Sequence, residues 1–229
     1  LAALAALLSS AASAQSTPAR VDRAEHHQFV LSNFRTESGV VLPQATVVYG
    51  TYGHLNAARD NVVLLPSHYM ANHHGYEWLI GPGLALDTTR LFLVATELFG
   101  NGSSSSPSNT PEPFHGPRFP IMTIRDNVHA VHQLLVEDLK ITHLRAVIGF
   151  SMGAQQAFQW AVSYPTFADR IVATSGTAAS PVRSPATAVA PSGSVRVAAR
   201  RIVSIPSPGS IRSMRRWNRR ARCAASRSS

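Results

Sequence analysis

Five consecutive residues, Gly149-Phe150-Ser151-Met152-Gly153, match the pattern G-x-S-x-G. In this pattern a sharp turn lifts the serine hydroxyl above the edge of a sheet, and the two glycines let the flanking strand and helix approach closely. Amides at the start of the following helix can hydrogen-bond to an oxyanion. The motif therefore predicts Ser151 as a nucleophile and the Met152 amide as an oxyanion donor, with a plain glycine-rich turn as the alternative.

The elements around this motif alternate apolar segments with turn residues, which is typical of an α/β domain. Helical spacing of apolar residues predicts a helix from Thr123, as N-cap, to Leu139, and a second helix over residues 153–164. Strands are predicted at residues 29–34, 46–52, 61–65, 91–96, 145–150 and 170–174. The alternation of strand and helix predicts a mostly parallel sheet, which we expect to end after residue 174.

The net charge of +9 is unevenly distributed along the 229 residues. Residues 1 to 178 contain 10 basic and all 12 acidic residues, whereas residues 179 to 229 contain 11 arginines and no acid. The whole-chain charge is therefore a poor guide to a nucleic-acid partner, which we do not expect. Because Cys223 is the only cysteine, a disulfide-stapled scaffold and paired-cysteine zinc or redox sites are excluded.

The first 14 residues form an apolar run that ends in Ala12-Ser13-Ala14, the small-x-small pattern of signal-peptidase sites. This pattern predicts a signal peptide over residues 1–14 and export to the periplasm or the medium. The alternative is an alanine-rich helix of a cytoplasmic protein. The run is too short to span a bilayer, so we expect no transmembrane anchor. Residues 27–178 are predicted to form the N-terminal part of the catalytic domain.

Several sequence blocks carry a resemblance to a known family: Ile80-Gly81-Pro82-Gly83, Phe119-Pro120, Thr123-Ile124-Arg125-Asp126, residues 147–157 and Tyr164-Pro165. They resemble the homoserine O-acetyltransferase group of the α/β-hydrolase superfamily. The resemblance implies an α/β-hydrolase fold with a doubly wound sheet. It also implies ping-pong acyl transfer, in which Ser151 takes an acyl group from a coenzyme A thioester and passes it to a hydroxyl such as that of homoserine. The amides of Met152 and Tyr69 would form the oxyanion hole, acyl-coenzyme A would be a co-substrate, and no bound cofactor or metal is implied.

Two blocks depart from the family pattern around the expected acyl pocket. Residues 67–71 read Ser-His-Tyr-Met-Ala where the family usually has His-Ala-Leu-Thr-Gly, and Phe150 replaces a glycine. Export would also separate the protein from coenzyme A thioesters. An esterase-type activity, with water in place of homoserine as the acceptor, therefore remains an alternative. A homodimer is also left open.

The chain lacks the other two members of a catalytic triad in their expected place. A serine hydroxyl needs a histidine base, which is itself oriented by a carboxylate, and in this superfamily both follow the serine. After Ser151 the chain has one acid, Asp169, which we interpret as a solvated loop charge, and no histidine. We therefore expect negligible turnover. His68, in the expected oxyanion loop, is a less favoured substitute base.

Other residues with chemical potential have simpler interpretations. The pairs His73-His74 and His129 with His132 are interpreted as core or solvated histidines rather than metal ligands, because no acid or cysteine stands at matching spacing. Three aromatic residues are interpreted as core residues: Tyr52, Trp78 and Trp160.

The segment from residue 179 to residue 229 differs in composition from the rest of the chain. Its 51 residues include 11 Arg, 11 Ser, 9 Ala and 5 Pro, with no Lys, Asp, Glu or His. Such a composition predicts a disordered tail, or the product of a frameshift near codon 178 in a GC-rich gene. The alternative is a genuine basic appendage of a non-catalytic protein that binds nucleic acid or anionic lipid.

Overall fold

The computed structural model of the protein describes residues 23–176 and 202–205. Within them, a seven-stranded sheet has the order β1-β2-β4-β3-β5-β6-β7. The β1–β2 and β2–β4 pairs are antiparallel, and the other neighbouring pairs are parallel. The predicted α/β fold with a mostly parallel sheet is therefore confirmed. The strands are β1 (Glu25–Arg35), β2 (Val41–Tyr52), β3 (Val62–Pro66), β4 (Phe92–Thr96), β5 (Ala146–Phe150), β6 (Ile171–Thr174) and β7 (Ile202–Ile205).

In the part of the chain that the structure describes, two α-helices accompany the sheet: α1 (Ile124–Gln133) and α2 (Met152–Ser163). Helix α1 begins with a capping box, because the Asp126 amide donates to Thr123 Oγ1 at 3.1 Å and the Thr123 amide donates to Asp126 Oδ2 at 2.8 Å. A π-helical turn, Leu134–Asp138, continues α1, so the predicted helix to residue 139 changes its hydrogen-bonding pattern part of the way along. Neither helix of the described ranges is long and apolar enough to cross a membrane.

The core lies on both faces of the sheet, and all five residues of β3 are buried, as expected for a parallel strand covered on both sides. Tyr52 and Trp160 are 2% and 1% exposed, which confirms them as core aromatics. The same prediction for Trp78 is wrong, because its side chain is 75% exposed. Trp78 lies in a short 3₁₀ turn, Glu77–Leu79, whose flanking residues Tyr76 and Ile80 occupy the buried positions instead.

The prediction that the sheet ends after β6 is also wrong. Strand β7 pairs in parallel with β6, from Ile171 opposite Ile202 to Thr174 opposite Ile205. The four residues Ile-Val-Ser-Ile are mostly β-branched and suit a strand, but they are too short to show a hydrophobic period. The predicted signal peptide over residues 1–14 lies outside the described residues, as does most of the segment 179–229.

Candidate active site

Ser151 lies in a strained turn between β5 and α2. Its backbone angles, φ 54° and ψ −116°, fall outside the regions that a residue with a side chain ordinarily adopts. Three backbone hydrogen bonds hold this conformation: the Ser151 amide donates to Thr174 O at 2.9 Å, and the Ser151 carbonyl accepts from the amides of Ala154 at 3.0 Å and Gln155 at 3.3 Å. The strained strand-to-helix turn predicted from the G-x-S-x-G pattern is therefore present.

The two glycines of the motif lie where no side chain would fit. A Cβ atom on Gly149 would overlap the backbone carbonyl of Gly153. A Cβ atom on Gly153 would lie 2.5 Å from Pro66 O and 2.9 Å from the Tyr76 hydroxyl oxygen. Strand β5, strand β3 and the first turn of α2 therefore approach one another at backbone distance, as the sequence predicts.

The segment that follows β3 packs against this turn through two buried side chains. The Tyr76 hydroxyl donates to Pro66 O at 2.8 Å and accepts from the Phe150 amide at 3.1 Å. Burial raises the pKa of the Tyr76 hydroxyl to about 12, so the hydroxyl keeps its proton at neutral pH. From the other side, Gln156 Nε2 donates to Ser67 O at 2.9 Å.

A cleft of about 1020 Å³ opens beside the start of α2. The structure brings Tyr69 and Met152 together in its wall, and Ser151 directly precedes Met152. Because the first amides of a helix have no acceptor within the helix, the Met152 amide can donate to a ligand. In the described part of the chain, the cleft is lined by no lysine, arginine, aspartate or glutamate. The walls come from residues 68–72, 98–101, 103, 122–124 and 127, together with Met152 and Gln155.

His68 lies in the cleft wall, but it does not contact the serine hydroxyl through a hydrogen bond. Its Nδ1 atom is 3.1 Å from Tyr69 O, and its ring lies edge-on to Phe150 at a centroid distance of 5.4 Å. Within residues 23–176, no histidine nitrogen is hydrogen-bonded to Ser151 Oγ. This arrangement therefore does not support His68 as a substitute base.

The Asp169 carboxylate lies within hydrogen-bonding distance of a histidine far from the serine. The distance between His143 Nε2 and Asp169 Oδ1 is 3.1 Å, and both side chains are about half-exposed. His143 precedes β5 and Asp169 precedes β6, so both lie at the amino ends of parallel strands. Ser151 follows the carboxyl end of β5, at the opposite edge of the sheet. The Asp169 carboxylate is thus paired rather than simply solvated, and it is not placed to serve Ser151.

A buried histidine–glutamate pair, which the sequence analysis missed, links two walls of the cleft. His73 Nδ1 is 2.6 Å from Glu97 Oε1, and the two side chains are 5% and 2% exposed. Asn101 Nδ2 donates to the other carboxylate oxygen at 2.6 Å. Burial alone would raise the pKa of Glu97, but hydrogen bonds from Asn101 and His73 hold it below its ordinary value. The interpretation of His73 as a core histidine is confirmed.

The two histidines of α1 both contact Tyr164. The His132 ring stacks on Tyr164 at a centroid distance of 3.9 Å, and His129 Nδ1 is 3.2 Å from the Tyr164 hydroxyl oxygen. In the portion of the chain described here, no group of three or more His, Cys, Asp or Glu side chains is arranged to hold a metal ion.

The alpha/beta hydrolase fold family matches residues 61–206, more than half of the sequence, so the chain belongs to this family. It is 41% identical over 143 residues to an ethyl acetate hydrolase of Pseudomonas veronii, and the alignment covers 62% of this chain and 41% of the relative. It is 37% identical over 153 residues to a homoserine O-acetyltransferase of Nautilia profundicola, and the alignment covers 59% of this chain and 41% of the relative. The crystal structure of the acetyl esterase MekB matches with a TM-score of 0.66 and 38% identity, over 67% of this chain and 45% of that one.

These similarities confirm the resemblance to the homoserine O-acetyltransferase group, and they show that the chain is also similar to an ester hydrolase. The chain spans about two fifths of the length of the two curated relatives.

Proposed function

We propose that Ser151 is the nucleophile of an acyl-transfer reaction on an ester. Its Oγ attacks the carbonyl carbon while a base removes the hydroxyl proton. The amides of Met152 and Tyr69 then donate hydrogen bonds to the tetrahedral oxyanion. Collapse of the intermediate breaks the bond to the leaving alcohol, whose oxygen takes the proton from the protonated base. An acceptor hydroxyl then attacks the acyl-serine, takes the acyl group and restores the serine hydroxyl. The observation that carries this proposal is the positive φ of Ser151 at the start of α2, because strain of this kind is typical of functional sites when the surrounding structure holds it in place.

The composition of the cleft favours an uncharged acyl ester as the substrate, with water as the acceptor. Homoserine carries a carboxylate and an ammonium group, and coenzyme A carries phosphates. A site that desolvates such groups ordinarily supplies charged partners. Within the described residues the cleft wall contains no lysine, arginine, aspartate or glutamate, and its apolar part includes Phe99 and Met122. The similarity to an ethyl acetate hydrolase agrees with an esterase-type reaction.

Homoserine O-acyl transfer is the second candidate. It is supported by the 37% identity to a homoserine O-acetyltransferase and by the sequence blocks shared with that group. In this case acyl-coenzyme A is the donor and the homoserine hydroxyl replaces water in the second half-reaction. The two candidates share the acyl-enzyme at Ser151 and differ only in the donor and acceptor.

The base for either reaction is not supplied by the residues that follow Ser151, because no histidine occurs there. A serine hydroxyl is a weak nucleophile without a base, so the 229-residue chain is expected to have negligible turnover by itself. An external base of the same chemistry, imidazole, should then restore part of the acylation step.

Chemical rescue tests the proposal directly. The full chain is incubated with p-nitrophenyl acetate with and without imidazole, and acetylation is measured by intact mass and peptide mapping. We expect acetyl-Ser151 only when imidazole is present. The Ser151→Ala variant should lose this acetylation, whereas the control Ser163→Ala, at the far end of α2, should retain it. Equal acetylation of the Ser151→Ala variant would contradict the proposed nucleophile, whereas a burst without imidazole would contradict the expected lack of a base.

The same assay separates the two acceptors. Homoserine added to the acylated protein should be recovered as its O-acetyl ester if the second candidate is correct, and should remain unchanged if water is the acceptor. The non-catalytic alternative predicts salt-dependent binding to nucleic acid or anionic vesicles that survives Ser151→Ala and is lost when residues 179–229 are deleted. Export, with removal of residues 1–14, also remains a prediction, tested by N-terminal sequencing of the mature protein.

A further inference from the structure

The parallel ladder between β3 and β5 stops before the two strands end. Its paired positions are Val63 with Ala146 and Leu64 with Val147. If the ladder continued with the same register, the Phe150 amide would donate directly to Pro66 O. Pro66 has no amide hydrogen, so it cannot donate to β5 at this point.

The Tyr76 hydroxyl occupies the place of that missing ladder bond. It accepts from the Phe150 amide at 3.1 Å and donates to Pro66 O at 2.8 Å, so one oxygen atom bridges the two strand ends. A strand pair bridged through an interposed oxygen is wider than one joined by a direct hydrogen bond. The side chain is 3% exposed, which fixes its position.

This spacing affects the two predicted oxyanion donors because each follows one of the bridged strands. Tyr69 lies three residues after the end of β3, and Met152 lies two residues after the end of β5. The first turn of α2 also rests on the same hydroxyl, which lies 2.9 Å from the position of a Cβ atom on Gly153. The Tyr76 hydroxyl therefore contacts the strand before the serine, the strand before the oxyanion loop and the helix after the serine.

We propose that Tyr76 is a positioning residue, whose hydroxyl spaces β3 from β5 and thereby sets the separation of the Tyr69 and Met152 amides around the oxyanion. This inference rests on the proposed role of Ser151. Tyr76 does not touch the reacting atoms. Its removal should slow the step in which an oxyanion forms and leave other reactions of the same nucleophile unchanged.

The test uses a nucleophile that needs no histidine. In the full-length chain with Ser151→Cys and Cys223→Ser, the thiolate attacks p-nitrophenyl acetate, forms a thioester and expels p-nitrophenolate. A thiolate forms at mildly alkaline pH without a general base. Alkylation of the same thiolate by iodoacetamide passes through no oxyanion. The ratio of the acetylation rate to the alkylation rate therefore reports the oxyanion hole, whereas thiol exposure and pKa affect both rates.

Tyr76→Phe in this background should lower the acetylation rate constant by about 100-fold, the effect expected of a displacement of about 1 Å in the site. The ester concentration for half-saturation and the alkylation rate should stay unchanged. Tyr49→Phe is the matched control. It also removes a buried tyrosine hydroxyl with a hydrogen bond, here to Asp138 Oδ2 at 3.0 Å, on the π-helical turn that follows α1.

The outcomes separate this inference from the proposed function. If the Ser151→Cys thiol shows the same acetylation-to-alkylation ratio as a cysteine in an unfolded peptide, the proposed function of Ser151 fails. If its ratio is raised but Tyr76→Phe and Tyr49→Phe change it equally, the function stands and the role of Tyr76 is refuted. A selective fall in the ratio for Tyr76→Phe supports the inference.

Discussion

Replacing Gly153 with alanine has two opposing effects on the free energy of unfolding: a gain in helix propensity and a steric clash. Gly153 is the second residue of α2, and alanine is favoured over glycine inside a helix by about 1 kcal/mol. The added Cβ atom, however, would lie 2.5 Å from Pro66 O, whereas ordinary contact begins at 3.4 Å. The helix or the strand must therefore move by about 0.9 Å to accommodate one methyl group.

Neither strand β3 nor helix α2 can move easily. The Pro66 carbonyl belongs to the buried strand β3 and already accepts from Tyr76, and α2 is packed into the core through Trp160. Overpacking of this kind costs about 3 kcal/mol at the upper end of its usual range. After the gain in helix propensity is subtracted, we expect Gly153→Ala to lower the free energy of unfolding by about 2 kcal/mol.

Urea denaturation provides the measurement. With an m value of about 2 kcal/mol/M, the midpoint should fall by about 1 M while m stays constant. Fluorescence and far-UV circular dichroism should give the same midpoint if unfolding is two-state. The control is Gly75→Ala, whose Cβ atom would meet its nearest neighbour, Ala71 Cβ, at 3.1 Å. A midpoint for Gly153→Ala that is unchanged or raised would refute the steric argument, because helix propensity would then be the larger effect.

Three further predictions address other parts of the structure. Thr123→Ala removes one half of the capping box and should lower the free energy of unfolding by about 1 kcal/mol in urea denaturation, and a change no larger than at an exposed threonine would contradict the cap. The pKa of Glu97 is lowered in the folded state, so its ionised form stabilises the protein fully above about pH 4.3, and this stabilisation is lost as the pH falls further. Glu97→Gln should therefore lower the free energy of unfolding at neutral pH, and the difference from the unmodified protein should disappear in acid. Stability curves that stay parallel over this pH range would refute the prediction. Asp169→Asn should leave the imidazole-dependent acetylation of Ser151 unchanged, because the His143–Asp169 pair lies at the opposite edge of the sheet, and a lost signal would show that this placement is wrong.

The sequence predicts those parts of the site that depend on neighbouring residues. The turn at Ser151 follows from two glycines and the strand and helix on either side, and all of these lie within one short stretch. The capped start of α1 is likewise encoded by Thr123 and Asp126, three residues apart. In both cases the determining contacts are local, so composition and spacing are sufficient.

The parts that the sequence did not predict depend on contacts between distant residues. The His73–Glu97 pair joins residues 24 positions apart, so their contact is not visible in the spacing of the sequence. Trp78 looks like a core residue by type, but the phase of a single 3₁₀ turn decides its exposure. Strand β7 is a short apolar stretch in a segment dominated by arginine, serine, alanine and proline, so its pairing with β6 is visible only in three dimensions.

The bonds that support the nucleophile turn also determine when during folding the site can exist. Tyr76 and Phe150 are 74 positions apart in the sequence, and Gln156 and Ser67 are 89 apart. Closing such long loops is slow compared with forming a local turn or a single helix. A nascent or refolding chain would therefore form α2 well before residue 151 acquires its reactivity. The ratio of acetylation to alkylation at residue 151 of the Ser151→Cys variant would thus report when the central sheet has assembled during refolding.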